Sequence, residues 1–349
     1  MTKHHRSGIC SVDYLWVDGN RYIARLKSKS RVLALPDVPD LVHFPAWTLD
    51  GSLTGQGDSE ELILNPVRWY LNPLKAGRHY LVLCEVNDVT GYAHFGNHRS
   101  GLRLLLRTAD IAAHQVWIGL SQQYSLLQIS DLADGSVGRV QEECQEQSSL
   151  HALIADAHAT ACLEAGLHLH SWHLVPHLQL PVFQLGMRSD DDDCDPLKVS
   201  DDLWVARYLL EQLSSIHHQT VIYDHLATPA SLSLSVSTLN TRDKSAGMAA
   251  MLRIIAVLEM LEVVDKTSRE FKHQFFPSEN FESGYTSRKA AFRIPSQVVL
   301  ARRGHLVDQR PRAKADPYRL VQYLLGSLRV SDFSTDRRSE SLSQIQVSI

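Results

Sequence analysis

The chain of 349 residues has little of three things that often define a protein class: paired cysteines, excess charge and long uninterrupted apolar segments. Its cysteines form no C-x-x-C pair, which argues against a disulfide framework and against a zinc site. They are five in number: Cys10, Cys84, Cys144, Cys162 and Cys194. A formal net charge of −4 provides no broad basic field for nucleic acid. We therefore expect reduced thiols and no nucleic-acid partner.

The most apolar stretch, residues 246–264, is interrupted by Arg253, Glu259 and Glu262. Such a pattern favours a buried amphipathic helix over a membrane span. The N-terminus shows no continuous apolar segment of the kind found in a signal peptide. These features predict a cytoplasmic protein with no membrane association.

What is present is an ordinary globular composition, 44% hydrophobic and 21% charged. Strand-like alternation dominates up to about residue 100, with a hairpin turn predicted at Asp18-Gly19-Asn20. Beyond it, strands alternate with helices that are predicted at 150–165, 202–217 and 246–264. The fold class is therefore α+β. We expect a small sheet domain over 1–100, a larger domain over 101–333 and a flexible tail over 334–349.

Several stretches, in order along the chain, carry a distinctive pattern. Residues 117–127 read Trp-Ile-Gly-Leu-Ser-Gln-Gln-Tyr-Ser-Leu-Leu, and residues 47–56 read Trp-Thr-Leu-Asp-Gly-Ser-Leu-Thr-Gly-Gln. With residues 13–19, 287–295 and 308–311 they resemble glutamine synthetases of the short eukaryotic type. In that family the first stretch reads Trp-Phe-Gly-Ile-Glu-Gln-Glu-Tyr-Thr-Leu-Leu.

The resemblance implies a fold and an assembly. It implies a small N-terminal β-grasp domain followed by a larger catalytic-type α/β domain, whose antiparallel strands form the active site. A neighbouring subunit completes each site, and the implied homo-oligomer is a decamer of two stacked pentameric rings.

The resemblance also implies a chemistry that needs metal. Ligating ammonia to glutamate uses ATP, and two divalent ions neutralise phosphate charge and align the transferred group. Hard cations of this kind prefer anionic oxygen ligands, and family members supply five glutamates and one histidine. The positions that match those six ligands are Ser121, Gln123, Val175, Val182, Ser233 and Val307. All six are altered, so no metal is predicted.

Of the other active-site positions of the family, some are changed in this chain and others are retained. Gln274 stands where a carboxylate closes over glutamate in the family, and Asp50 keeps the position of the residue that accepts a proton from ammonium. An alternative for Asp50 is a simple capped turn. Arg288, Arg293 and Arg310 match substrate- or nucleotide-binding arginines. They either attract an anion to the neutralised pocket, or they pair with local carboxylates such as Asp308 or simply face water.

The sequence thus predicts a glutamine synthetase-like protein without ligase activity, acting as a structural or regulatory homologue that co-assembles with an active paralogue. The alternative is an active or repurposed amine–carboxylate ligase that uses ATP and magnesium or manganese. Its displaced ligands would come from Glu279, Glu282, Asp308 and the histidines His168, His170, His173 and His177. A third hypothesis is a duplicated copy that drifts without function.

Overall fold

The structure is a computed structural model that describes residues 8–20, 24–55, 61–128, 145–175, 180–187, 195–224 and 232–333. The predicted tail and His177 lie outside these residues. Within them, no helix is both long and apolar enough to cross a bilayer.

The first sheet has five strands in the order β2-β1-β5-β4-β3. Their bounds are β1 Ile9–Val17, β2 Leu26–Ala34, β3 Trp47–Asp50, β4 Glu61–Leu71 and β5 Tyr80–Asp88. The predicted hairpin is confirmed, because β1 pairs antiparallel with β2 from Ile9–Ala34 to Val17–Leu26. The Asp18 carboxylate accepts from the backbone N–H groups of Asn20 and Arg25, and so links the end of β1 to the residue just before β2.

The second sheet has six antiparallel strands in the order β12-β13-β11-β6-β9-β8, and β7 pairs separately with β10. The bounds are β6 Trp117–Gln123, β7 Ser125–Gln128, β8 Leu169–Val175, β9 Leu180–Gly186, β10 Gln219–Ile222, β11 Leu232–Ser237, β12 Phe292–Arg293 and β13 Leu306–Asp308. This sheet carries the candidate site.

Helices cover one side of the second sheet. Their bounds are α1 His98–Leu106, α2 Ala109–Ala113, α3 Gln145–Glu164, α4 Pro196–Ile216, α5 Leu239–Arg242, α6 Gly247–Asp265, α7 Arg269–Gln274, α8 Ser296–Ala301 and α9 Pro317–Phe333. The three helices predicted from sequence are therefore confirmed as α3, α4 and α6. Helix α4 begins with Asp195 accepting from the Leu197 N–H and with Pro196 at its first turn, which preorganises the helix.

Two hydrophobic clusters hold the chain together. One lies within the first sheet and includes Val12, Tyr14 and Leu62. The other fills the space between the second sheet and its helices, and it also takes in Leu15 and Leu83 from the opposite face of the first sheet. The α+β expectation is confirmed. Because the larger cluster crosses residue 100, the domain boundary expected there stays a prediction.

A buried ion network joins the two parts of the chain. Arg99 of α1 donates to Glu85 of β5 at 2.7 Å and to both oxygens of Asp201 in α4 at 2.8 and 2.9 Å. Arg68 and the Tyr318 hydroxyl also donate to Asp201. Burial opposes the charge of Arg99, but Asp201 and Glu85 outweigh it and raise the pKa of the guanidinium. The network therefore fixes the first sheet against α4.

Candidate functional site

Strand register brings the altered ligand positions together on one face of the second sheet. Ser121 of β6 lies directly opposite Ser233 of β11, and Gln123 lies opposite Val182 of β9. Val307 of β13 lies opposite Ser235, two residues along from Ser233. Residues paired directly across antiparallel strands point to the same side, and so do residues two apart. We call this side of the sheet the open face.

The sixth position lies on the edge strand β8. Val175 pairs with Leu180, which is two residues from Val182 on β9 and shares its side of the sheet. The six positions that were chosen from separate stretches of sequence thus lie on one surface. Residues between them, such as Leu120 and Leu234, are buried on the helix side.

Neutral polar groups dominate the open face. The Ser171 hydroxyl donates to the Gln184 side-chain oxygen at 2.8 Å, and the Gln184 amide donates to the Ser121 hydroxyl at 3.5 Å. The buried Nε2 of Gln123 has no hydrogen-bond partner in the described part of the chain. Serine and glutamine form a polar lining here without any carboxylate at the ligand positions.

These residues do not fit the pair of divalent ions that the family resemblance implies. Magnesium and manganese need several oxygen ligands, most of them anionic, at short range. The six positions supply two hydroxyls, one amide and three valines. Among the described residues, no group of three or more His, Cys, Asp or Glu is arranged to hold a metal ion.

The suggested replacement ligands lie elsewhere. Glu279 and Glu282 are exposed in the segment after α7, and the Glu282 carboxylate accepts from the Ser287 hydroxyl. Asp308 is adjacent to Val307 and therefore points to the helix side, where it is buried. Strand alternation separates Asp308 from the open face.

The histidines in and just before β8 also point in different directions. His168 lies 3.2 Å from the Asp202 carboxylate, on the α4 side of the chain. His173 is exposed and lies opposite Val182, on the open face. His170 is exposed beside the irregularity that interrupts the pairing of β8 with β9. The structure therefore does not bring His168 and His173 to one point.

Arg310 is buried together with two carboxylate partners. Its guanidinium donates to both oxygens of Asp308 at 2.8 and 3.0 Å and to Glu262 of α6 at 2.7 Å, and the residue is fully buried. Burial opposes its charge, but the two carboxylates raise its pKa. This arrangement matches the alternative in which the arginine pairs with a local carboxylate such as Asp308.

Arg293 and Arg288 lie in a different environment. Arg293 pairs with Val307 across β12 and β13, so it belongs to the open face, while Arg288 is exposed in the preceding loop. Partial burial and the nearby charge of Arg288 lower the pKa of Arg293. Burial and Arg293 likewise lower the pKa of His305. One edge of the open face is therefore positive.

The remaining site positions have local structural contacts. The exposed Asp50 carboxylate accepts from the backbone N–H and the hydroxyl of Ser52 at 3.0 and 2.6 Å, and these bonds lower its pKa. Gln274, at the end of α7, is buried, and its side-chain oxygen accepts from the Asp316 N–H at 2.8 Å. Asp50 is thus a turn cap, and Gln274 ties α7 to the start of α9.

Sequence reasoning did not single out Gln122, which lies between two of the altered positions. Gln122 points to the helix side, and its side-chain oxygen accepts from Arg207 of α4 at 2.7 and 3.2 Å. Arg207 also donates to the Ala313 and Ala315 carbonyls. Strand alternation was the signal that could have assigned Gln122 to this supporting role.

A five-stranded sheet is docked on a six-stranded sheet, and several strands converge on one half-exposed face of the larger sheet, so the chain is an α+β protein. No family model matches it. It is 29% identical over 341 residues to glutamine synthetase of Streptomyces hygroscopicus, covering 90% of this chain and 95% of that protein. It is also 28% identical to glutamine synthetase of Emericella nidulans over 92% of this chain and 93% of that one.

A third relative is the cytosolic glutamine synthetase isozyme of Daucus carota, 28% identical over 88% of this chain and 91% of that protein. The similarity spans both sheets and nearly the whole length of each relative. The chain is thus similar to glutamine synthetases over most of its length.

Proposed function

We propose that this chain is a glutamine synthetase-like protein that lacks ATP-dependent ligation of glutamate and ammonia, and that it acts as a structural or regulatory homologue. The observation that carries the proposal is the open face. Its six ligand positions meet on one surface and contain no carboxylate and no imidazole.

The physical argument begins with charge. Phosphoryl transfer concentrates negative charge on the nucleotide, and the reaction depends on cations placed to neutralise it. Hydroxyl and amide groups bind magnesium weakly when no anionic ligand accompanies them, and valine binds none. The open face therefore lacks the means to hold the metal that activates the nucleotide.

The fold does not depend on those ligands. Leu120, Leu234 and Leu306 are almost completely buried on the helix side of the same strands. Glutamates clustered on a half-exposed face repel one another unless a cation offsets them, so neutral replacements remove that repulsion. The sheet thus keeps its main source of stability after its metal ligands are lost.

The regulatory part of the proposal concerns assembly with an active glutamine synthetase. The similarity to such enzymes includes the first sheet, and the Asp50 turn at the end of β3 retains its hydrogen bonds to Ser52. A chain with this surface would take a subunit position in a mixed oligomer and change the number or behaviour of the active sites there.

The activity test is the formation of γ-glutamyl hydroxamate from glutamate, ATP and hydroxylamine, with magnesium or manganese supplied. The cytosolic isozyme of Daucus carota serves as the positive control. We expect product at the protein-free background for this chain. Product at an enzyme-like rate would contradict the proposal.

Assembly is tested separately by co-expressing differently tagged copies of this chain and an active glutamine synthetase from the same source. Native mass spectrometry of the doubly purified material should show mixed oligomers. Exclusively separate oligomers of the two chains would contradict the regulatory role while leaving the activity result intact.

A second candidate function rests on the positive edge of the open face. Neither Arg288 nor Arg293 has an ion pair among the described residues, and both lie beside a surface without carboxylates at the ligand positions. This favours binding of an anion such as ATP, as in an active or repurposed ligase. Calorimetry with ATP, alone and with manganese, separates the candidates: metal-coupled binding supports the ligase, and its absence supports the inactive homologue.

A further inference from the structure

A serine and a histidine are in hydrogen-bond contact near the start of β1, on the first sheet and not on the open face. The Ser11 Oγ lies 2.6 Å from Nδ1 of His79, the residue just before β5. Both residues are half-buried and so remain in contact with water. Because a serine hydroxyl becomes a strong nucleophile only when a base takes its proton, the protonation of the imidazole ring decides what this pair can do.

Two backbone groups fix the tautomer of the neutral His79 ring. The Ala76 carbonyl lies 3.1 Å from Nε2 and can only accept, so Nε2 carries the proton. The Ser11 backbone N–H can only donate, and it donates to Nδ1 at 3.3 Å. Nδ1 therefore has the lone pair, and the Ser11 hydroxyl donates to it at 2.6 Å. This is the arrangement of a nucleophile with its general base, and the Ala76 carbonyl orients the ring.

The connection between β4 and β5 holds His79 in this place. Asn72, just after β4, donates its backbone N–H to the His79 carbonyl at 2.9 Å. The buried side chain of Asn72 donates to the Asp13 carboxylate of β1 at 3.0 Å. Gly77 supplies the left-handed backbone of the connection, with a φ of 95°. The ring is therefore fixed beside β1 by the fold, and its position does not depend on the contact with Ser11 alone.

A lysine ammonium lies beside the same hydroxyl. Lys75 Nζ is 2.7 Å from Oδ2 of the buried Asp13 and 3.5 Å from the Ser11 Oγ. Asp13 lies two residues from Ser11 on β1 and therefore on the same side of the first sheet. The Asp13–Lys75 ion pair thus keeps a positive charge next to the site at which negative charge develops when Ser11 attacks a substrate.

Exposed apolar side chains surround the hydroxyl. Ile9 precedes Ser11 by two residues on β1, and Val32 of β2 is paired directly with Ser11, so both lie on its side of the sheet. Ile9 is 52% exposed and Val32 is 68% exposed. They offer an apolar surface to a short acyl chain. Because Lys75 is partly exposed and water weakens its effect, the substrate also needs a good leaving group.

We propose that Ser11 is a nucleophile that takes a short apolar acyl group from activated esters, with His79 as general base and Lys75 as the stabilising cation. The Ser11 Oγ attacks the acyl carbon, and an Oγ–C bond forms while the bond from that carbon to the leaving oxygen breaks. The serine proton moves to His79 Nδ1 and from there to the leaving oxygen. The products are an O-acyl serine and the free alcohol or phenol.

The competing role for this pair is a structural tie between β1 and the β4–β5 connection. A tie needs the hydrogen bond of His79 but not its ability to accept a proton, so the two roles can be separated by substitution. The site belongs to the first sheet, whereas the open face belongs to the second. Acyl transfer to Ser11 therefore does not depend on whether the chain has ligase activity.

The probe is p-nitrophenyl butyrate, an activated ester with a short apolar acyl group, added to the full chain. Released p-nitrophenolate gives the rate, and peptide mass spectrometry gives the acylated residue. Alkaline hydroxylamine cleaves esters and leaves amides, so it distinguishes acyl-serine from acyl-lysine. Ser52 is the internal control, because it is exposed and its hydroxyl donates to the Asp50 carboxylate, a much weaker base than imidazole.

The variants are Ser11→Ala, His79→Gln and Lys75→Met. Glutamine can still accept a hydrogen bond from the Ser11 hydroxyl but cannot take its proton, so His79→Gln separates the general base from the structural tie. His43→Gln is the matched control, because His43 is an exposed histidine whose Nδ1 accepts from the Asp40 N–H. Thermal melting followed by circular dichroism verifies folding.

We expect Ser11 to be acylated about a hundredfold faster than Ser52 in the folded chain, and at a similar rate once urea has unfolded it. His79→Gln should slow the acylation of Ser11 by about a hundredfold. Lys75→Met should slow it by about tenfold, a smaller loss because the ammonium is partly exposed. Ser11→Ala should form no ester at this position, and His43→Gln should match the wild type.

Equal acylation rates of Ser11 and Ser52 in the folded wild type would overturn this role for Ser11. A folded His79→Gln variant that kept the wild-type rate would overturn it as well, since the imidazole would then be only a structural tie. Should that variant fail to fold, the wild type alone decides. The same ratio of Ser11 to Ser52 acylation before and after unfolding would contradict a base that the fold supplies.

Discussion

One side of the six-stranded sheet packs against helices through Leu120, Phe183 and Leu234, and the other side carries the half-buried Ser121, Gln123 and Ser233. The two sides are built from alternating residues of the same strands, yet they meet different requirements. The helix side must exclude water and pair its charges. The open face carries neutral side chains at the proposed ligand positions, and these constrain the fold only weakly. Stability and chemistry are thus separated by strand alternation.

The largest loss of stability is expected on the helix side, where the buried Arg310 pairs with Asp308 and Glu262. Arg310→Met leaves Asp308 and Glu262 without their shared cation, and removing one partner of a buried pair costs about 3–5 kcal/mol. Urea unfolding should show this loss. Arg288→Met, at an exposed position, should change the free energy of unfolding by about 0.5 kcal/mol or less. Equal effects of the two would contradict the assigned roles.

Adjacent residues of β11 give the sharpest comparison between the two sides. Leu234→Ala should destabilise the chain by about 2–5 kcal/mol, because it opens a cavity in the large cluster. Ser233→Ala, one residue away on the open face, should lie within about 0.5 kcal/mol of wild type. Chemical unfolding of both proteins measures the difference. A larger loss for Ser233→Ala would show that the sides are assigned the wrong way round.

Restoring ligands should return the open face to a metal-dependent state. The variant Ser121→Glu/Gln123→Glu/Ser233→His should be less stable than wild type in chelator, because carboxylates on neighbouring positions repel. Manganese at a hundred times its dissociation constant should add about 2.7 kcal/mol to the variant. The neutral counterpart Ser121→Gln/Ser233→Asn serves as the control.

Thermal melting with and without manganese gives the result for the variant, the control and the wild type. Only the melting temperature of the variant should rise when manganese is added. A similar rise in the melting temperature of the wild type would show that metal ligands exist on a surface where we assign none.

A smaller effect is expected from pH, again on the helix side. His158 of α3 is buried against Phe183, and burial lowers its pKa from 6.5 to about 4. Between pH 6.5 and pH 4 the unfolded chain therefore binds the proton more readily, so stability falls as the pH falls, by at most about 1.4 kcal/mol per pH unit. His158→Gln should reduce this slope in urea unfolding series at pH 7, 6 and 5. An unchanged slope would mean that the imidazole is protonated in the folded state.

Strand alternation and the order of motifs were enough to predict the α+β fold and helices α3, α4 and α6. The six ligand positions could also be chosen from sequence, because each belongs to a stretch with a recognisable family pattern. Their convergence on one face needed the strand register, which depends on pairings between residues as distant as Ser121 and Ser233.

The sequence could not reveal which surviving arginine has a partner. Arg310 reaches Glu262 across 48 positions of chain, and only the packing of α6 beside β13 brings the two together. Gln274 was predicted from its family position as part of a closing loop; it is the last residue of α7, and its side-chain oxygen accepts from the Asp316 N–H, which is distant in the chain. Long-range contacts of buried polar groups are therefore the part that pattern reasoning leaves undetermined.

The most direct measurement of the central claim is a calorimetric titration of manganese into the wild-type chain, with and without ATP, with the Ser121→Glu/Gln123→Glu/Ser233→His variant alongside. We expect no saturable manganese binding to the wild type and clear saturable binding to the variant. Stoichiometric, micromolar manganese binding to the wild type, abolished by substitutions on the open face, would contradict it.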